Sequence, residues 1–136
     1  MMPSIETYVL DACALLRLAQ DEDGAETIAD MMAEAQQGKC RLLMHIINLG
    51  EAVYHIAKQF GWETASQKRA EISLLPITIV PFTEETFWHA VKLKAEHAVS
   101  YADCFAAALA MQEGATLLMS DPDLEALGDK VARIKV

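Results

Sequence analysis

Four acidic residues stand where apolar segments of this chain end or where helical segments open. They are Asp11 in YVLD, Glu51 in INLGE, Asp103 in SYAD and Asp121 in LLMSD. In an open α/β sheet these turns lie at the carboxyl ends of the strands, which is the edge where ligands bind. Carboxylates gathered at one edge repel each other unless a divalent cation lies among them. The pattern therefore favours a metal-dependent enzyme.

Strand and helix signals alternate along the chain. Short apolar or β-branched segments predict strands at 5–10, 41–44, 77–80, 116–119 and 131–136. Helical spacing predicts helices at 12–20, between Gly24 and Gly38, and at 48–61, 62–74, 83–97 and 100–112. This alternation implies a parallel sheet covered on both faces. We therefore expect one α/β domain, residues 1–136, built as a three-layer α/β/α sandwich on a sheet of four to five strands.

The charge balance narrows the classes of partner. The chain of 136 residues carries 20 acidic and 11 basic residues, a net charge of −9, which disfavours non-specific binding to duplex DNA or to an anionic membrane. Small basic groups such as Lys68 with Arg69 are read as solvated helix faces, with a basic rim around an acidic pocket as the alternative. The N-terminal segment lacks a signal-peptide pattern, and the cysteines form no C-x-x-C pair. We expect a cytoplasmic protein with reduced thiols.

Each acid, taken singly, also has an ordinary explanation at a helix start. The expected roles are an N-cap for Asp11, a capping box from Asn48 to Glu51, a first-turn acid for Asp103 behind a Ser100 cap, and an N-cap for Asp121 ahead of Pro122.

Taken together, the acids are harder to explain as caps. Asp103 opens a segment, 104–111, that is apolar on nearly all sides and should form a buried helix. A buried carboxylate needs a partner, and a helix dipole at an exposed site contributes only about 0.3–1 kcal/mol. Mg²⁺ or Mn²⁺, which bind carboxylates and waters, would resolve the repulsion. No His/Cys cluster has zinc spacing, so a zinc site is disfavoured.

The segments VLDACALL, NLGEAVYHI, YADCFAAALA and LLMSDPDLEAL resemble, in order and spacing, the acidic motifs of the PIN domain. They are most similar to those of the VapC-type toxins of bacterial and archaeal toxin–antitoxin operons, and the resemblance covers essentially the whole chain. It implies an α/β/α sandwich and a Mg²⁺- or Mn²⁺-dependent endoribonuclease that cuts single-stranded RNA. It also implies a cognate antitoxin and, commonly, a homodimer.

The resemblance assigns the catalytic and metal-binding roles by position. Asp11, Glu51 and Asp103 match the metal-binding acids of the family, and Asp121 matches its fourth acid, whereas Asp123 falls in the spacer that follows. The family often has Thr or Ser after the first Asp, where this chain has Ala12.

Other polar and aromatic residues are secondary candidates. Asn48 and Ser120 could supply polar contacts at the site. His45, at the end of the second predicted strand, and His55, four residues after Glu51, could also reach it, but an ordinary packed or surface histidine is the favoured reading. The remaining candidates, which could stack on bases or pack in the core or an interface, are Trp62, Trp88 and Tyr101.

Two other functions compete with the ribonuclease. A phosphoacceptor receiver domain would require an Asp at the end of the third strand, where this chain reads Ile79-Val-Pro-Phe82. A non-catalytic module would keep the fold and use its acidic pocket to bind RNA or a basic peptide.

Overall fold

A parallel sheet of five strands forms the centre of the fold, in a computed structural model that describes residues 5–120 and 122–136. The strands are β1 (Glu6–Leu10), β2 (Cys40–His45), β3 (Thr78–Val80), β4 (Thr116–Met119) and β5 (Arg133–Lys135). The helices are α1 (Ala12–Ala19), α2 (Ala25–Gln36), α3 (Ile46–Phe60), α4 (Trp62–Ile72), α5 (Glu84–Glu96) and α6 (Tyr101–Glu113), and a 3₁₀ segment follows at Pro122–Lys130. The spatial order is β3-β2-β1-β4-β5, and every pairing is parallel.

Successive residues of the central strands face opposite layers. Val9 and Leu117 pack in a buried cluster with residues of α5 and α6, whereas Leu10 and Leu118 pack in a second cluster with residues of α1 and α2. This follows from the two-residue period of a strand. The predicted three-layer α/β/α sandwich is confirmed, and the apolar helix predicted after Asp103 is buried along most of its length.

Most helix starts lie where the capping signals predicted them. The hydroxyls of Thr83 and Ser100 accept hydrogen bonds from backbone N–H groups in the first turns of α5 and α6. In the part of the chain that the structure describes, none of the helices is both long and apolar enough to cross a membrane.

The predicted start of α3 at Asn48 is wrong. The helix begins at Ile46, directly after β2, and its N-cap is His45, whose Nδ1 accepts a hydrogen bond from the Ile47 N–H at 3.1 Å. The expected capping box is therefore absent, since Asn48 lies inside the first turn and Glu51 in the second. The preference of helix caps for Asn favoured the wrong residue, because an imidazole nitrogen can accept the same bond.

A close backbone approach joins the α1–α2 turn to the residue that follows the last strand. Gly24 has φ +94°, and a Cβ at this position would lie 2.9 Å from the carbonyl carbon of Val136 and 3.3 Å from Cδ of Arg17. Glycine is required here for both reasons, since other residues rarely adopt a positive φ and backbone cannot yield as a flexible side chain does.

We predict that Gly24→Ala lowers the free energy of unfolding by about 2–3 kcal/mol, because steric overlap adds to backbone strain. Gly114→Ala is the matched control, since Gly114 has φ +59° with no atom within 4 Å of the added carbon, and it should cost only about 1 kcal/mol. Urea denaturation measures both values, and equal losses would show that the contact with Val136 has no effect.

Candidate functional site

Asp11 joins three elements at the carboxyl edge of the sheet. It follows β1, the central strand, and is fully buried. Its Oδ1 accepts a hydrogen bond from the Ala14 N–H at 2.7 Å, and its Oδ2 accepts one from the Ser120 N–H at 3.2 Å. Its own N–H donates to the Leu118 carbonyl of β4 at 3.2 Å. The predicted N-cap is confirmed, and each oxygen of the carboxylate accepts one of these hydrogen bonds.

A second buried contact brings the starts of α3 and α6 together. Asn48 is fully buried, and its Nδ2 donates to the Ala102 carbonyl at 3.0 Å. Asp103, the next residue, is only 3% exposed, and its N–H donates to the Ser100 hydroxyl at 3.2 Å. Glu51 is half-buried one turn further along α3. The elements that carry three of the predicted acids therefore meet at the edge where β1 ends.

The carboxylates do not by themselves form a complete cation site. Within residues 5–120 and 122–136, no three side chains of His, Cys, Asp or Glu lie close enough together to hold a metal ion. The predicted fourth acid, Asp121, lies outside the described residues. The structure thus brings together the elements of Asp11, Glu51 and Asp103, and the role of these residues as ligands remains a prediction.

The donor set nevertheless fits a hydrated hard cation. Asn48 Oδ1 is buried and has no hydrogen-bond partner among the described residues. A buried polar atom left in this state costs about 1–3 kcal/mol, so a group that donates to it or coordinates it would be stabilising. Carboxylate and amide oxygens are the ligands that Mg²⁺ and Mn²⁺ prefer. The residues at this edge therefore suit Mg²⁺ or Mn²⁺ better than zinc.

His45 is a buried helix cap. Its ring packs against Phe105 with centroids 4.9 Å apart, and because Nδ1 accepts the Ile47 N–H, the neutral ring carries its proton on Nε2. Burial lowers the pKa of His45 below its usual value. His55 is exposed and lies against the ring of Tyr54, as expected of an ordinary surface histidine.

We predict that His45 makes stability fall in acid. Its pKa is lowered in the folded state, so the unfolded state, with a pKa of about 6.5, takes up the proton first. The contribution of His45 to the free energy of unfolding is complete above about pH 6.5. It is lost as the pH falls from there towards the pKa of His45 in the folded state. Urea denaturation between about pH 5 and 8 should show a shallower acid slope for His45→Asn. The exposed control His55→Gln should keep the wild-type slope, and equal slopes for all three proteins would contradict the prediction.

The aromatic candidates lie on the surface. Trp62, Trp88 and Tyr101 are 66%, 59% and 44% exposed, so packing in the core is excluded for all three. Tyr101 lies in the first turn of α6, two residues before Asp103. Of these three aromatic residues, Tyr101 therefore lies nearest in sequence to a predicted acid of the carboxyl edge.

Arg17 is a site residue that the sequence patterns did not indicate. Its Nε donates to the Ser120 hydroxyl at 2.8 Å, next to the backbone N–H that binds Asp11. One feature of the sequence could have indicated Arg17: it is the single charged residue of α1, ACALLRLA.

Comparison with known proteins agrees with this geometry. The PIN domain model matches residues 8–130, and the chain belongs to the PIN domain family. No curated protein sequence matches it significantly. The resemblance that the acidic motifs indicated is therefore confirmed at the level of the family, and the receiver-domain alternative is excluded.

Solved structures of VapBC and VapC proteins and of FitAcB share the fold. VapBC2 from Rickettsia felis, bound to a DNA fragment from its promoter, has a TM-score of 0.72 at 18% identity over 95% of this chain and 98% of that chain. The sarcin–ricin-loop-cleaving toxin VapC20 of Mycobacterium tuberculosis has 0.69 at 18% over 89% and 95%. FitAcB from Neisseria gonorrhoeae has 0.69 at 19% over 93% and 96%. At these identities the likeness establishes the fold.

Proposed function

We propose that this PIN domain is a Mg²⁺- or Mn²⁺-dependent endoribonuclease that cleaves single-stranded RNA, and that it is the toxin of a type II toxin–antitoxin pair. The observation that carries the proposal is the pair of buried carboxylates, Asp11 and Asp103, at the carboxyl edge of a PIN fold, beside a buried amide oxygen of Asn48 with no partner among the described residues. The likeness to VapC20 supports RNA as the substrate.

The four acids would bind the cation in different ways. Asp11 and Asp103 are our candidates for direct ligands, Glu51 would bind directly or through water, and Asp121 would hold a second cation or act through water. A bound cation would supply an activated water and offset the charge that develops on the phosphate oxygens. Covalent attack by a side chain is not required.

The chain's own contacts would keep this edge in a fixed shape. The two N–H groups that donate to Asp11 fix the plane of its carboxylate, and the Asn48–Ala102 hydrogen bond fixes the spacing between the starts of α3 and α6. The exposed ring of Tyr101 would offer a face to an unpaired base.

A non-catalytic binding module is the second candidate function. Two observations favour it: three acids do not form a metal-binding group within the described residues, and Ala12 replaces the hydroxyl that is frequent in the family. Such a module would bind RNA or a basic peptide at the acidic edge without turnover.

Cleavage of single-stranded RNA separates the two functions. We predict cleavage that is lost in excess EDTA and returns with Mg²⁺ or Mn²⁺. Asp103→Asn should lower the rate at least about 100-fold, because it removes a ligand, while the fold stays intact or becomes slightly more stable as repulsion is relieved.

The matched control is Glu113→Gln, which removes an exposed acid from the other end of the same helix. This residue lies near Glu6 and Thr116, where β1 and β4 begin, and its loss should leave cleavage unchanged. Cleavage that persists in chelator would refute the metal mechanism. A loss of several degrees in the melting temperature of Asp103→Asn in EDTA would instead identify Asp103 as a structural partner.

We also propose a small protein inhibitor, the antitoxin, and a homodimer of the toxin in the cytoplasm. An edge that attracts a cation also attracts an arginine or lysine side chain. Apolar surface for the rest of the partner is available, since Phe60, Trp62 and Leu74 are 57%, 66% and 85% exposed.

We predict that the inhibitor inserts a basic side chain among the acids, so that inhibition weakens as Mg²⁺ rises, by mass action. Replacing that side chain with alanine should reduce inhibition more than binding, because the apolar contacts remain. The measurement is a pull-down from native lysate, followed by cleavage assays at two Mg²⁺ concentrations. Inhibition that survives the loss of every basic residue near the edge would rule out this mode of binding.

A further inference from the structure

Arg17 crosses from α1 to the end of β4. Its half-buried guanidinium uses two nitrogens in different directions. Nε donates to the Ser120 hydroxyl at 2.8 Å, and one Nη donates to the Asp23 carbonyl, in the turn before α2, at 2.9 Å. The planar guanidinium can make both bonds at once, which a lysine ammonium on its flexible stem would not reproduce.

Ser120 is held through both its hydroxyl and its backbone N–H. It is 7% exposed, and its hydroxyl donates to the Val136 carbonyl at 3.3 Å. A hydroxyl has one proton, so its oxygen must act as the acceptor towards Arg17. Its backbone N–H then donates to Asp11 Oδ2 at 3.2 Å. Arg17 therefore fixes the residue whose backbone fixes the Asp11 carboxylate.

The two anchors of Asp11 differ in origin. Ala14 lies three residues away, in the helix that Asp11 caps. Its N–H therefore keeps the same position relative to Asp11 however α1 packs on the sheet. Ser120 lies 109 residues away, directly after β4, the next strand of the sheet. The contact with Ser120 is thus the one that sets the Asp11 carboxylate relative to β4.

We infer that Arg17 is a positioning residue that orients the Asp11 carboxylate through Ser120. The inference rests on the proposed function only in that Asp11 binds the cation. Partners that orient a ligand in this way are worth about 10–100-fold in metal affinity.

Two variants of Arg17 distinguish the effect of its hydrogen bond to Ser120 from the effect of its side-chain volume. Arg17→Met keeps much of the apolar length without a donor, whereas Arg17→Gln places an amide nitrogen at the position of Nε and can restore the bond to Ser120. The matched control is Arg133→Met, which removes another arginine that donates to a backbone carbonyl, that of Gly128, but at the start of β5.

The first measurement is hydrogen exchange of the Ser120 amide by NMR in the metal-free protein, with global stability followed by urea denaturation. The second is binding of Mn²⁺, followed by the electron paramagnetic resonance signal of the free ion. We expect Arg17→Met to accelerate Ser120 exchange and to weaken Mn²⁺ binding, each about 10-fold. Arg17→Gln should recover most of both losses, and Arg133→Met should change neither.

A double variant tests the path of the effect. Ser120→Ala removes the hydroxyl but keeps the backbone N–H, and should weaken Mn²⁺ binding as Arg17→Met does. If both act through one contact, the double variant should lose no more than either single variant. Losses that multiply, or failure of Arg17→Gln to recover any binding, would overturn the inference.

The outcomes distinguish this inference from the nuclease proposal. A wild-type protein that binds Mn²⁺ without cutting RNA would refute the nuclease and leave the role of Arg17 intact. The exchange measurement needs no metal, so unchanged Ser120 protection in Arg17→Met overturns the inference whether or not Mn²⁺ binds.

Discussion

The carboxylate of Asp11 is the interaction on which the carboxyl edge depends. A buried charge is costly unless hydrogen bonds satisfy it, and here the donors come from α1 and from the residue after β4. The same group therefore caps a helix and ties the central strand to its neighbour. A structural cap and a ligand are compatible uses of one carboxylate, because N–H donors and a cation occupy different lone pairs. From the sequence alone, helix capping and metal binding were alternative explanations of Asp11.

The fold could be predicted from the sequence to a large extent, for a physical reason. Short apolar strands and helices with turn residues between them admit few arrangements other than a parallel sheet covered on both faces. The start of α3 could not be predicted, because β2 runs into the helix without a loop and a histidine ring replaces the usual cap. The last strand is shorter than predicted, at Arg133–Lys135.

The candidate site, like the fold, could be predicted from the sequence in part. The elements of Asp11, Glu51 and Asp103 were placed correctly at one edge, because strand ends and helix starts are local features of the sequence. The contacts of Asn48 and Arg17 could not be predicted, because each depends on a partner far along the chain: Asn48 binds the Ala102 carbonyl and Arg17 binds Ser120. Spacing shows which acids share an edge, but tertiary packing decides which neutral and basic groups hold them there.

Ala12 shows how the surroundings of one position decide what its side chain can contribute. It follows Asp11 directly, where the family often carries a hydroxyl, yet it is fully buried in an apolar cluster with Leu15, Met44 and Ala52. A hydroxyl added among these side chains would need a hydrogen-bond partner of its own. The polar groups beside the acids come instead from Asn48 on α3 and from Ser120 after β4. This chain therefore supports its acidic edge from the flanking elements rather than from the residue after the first acid, and the edge depends correspondingly on how α1, α3 and β4 pack together.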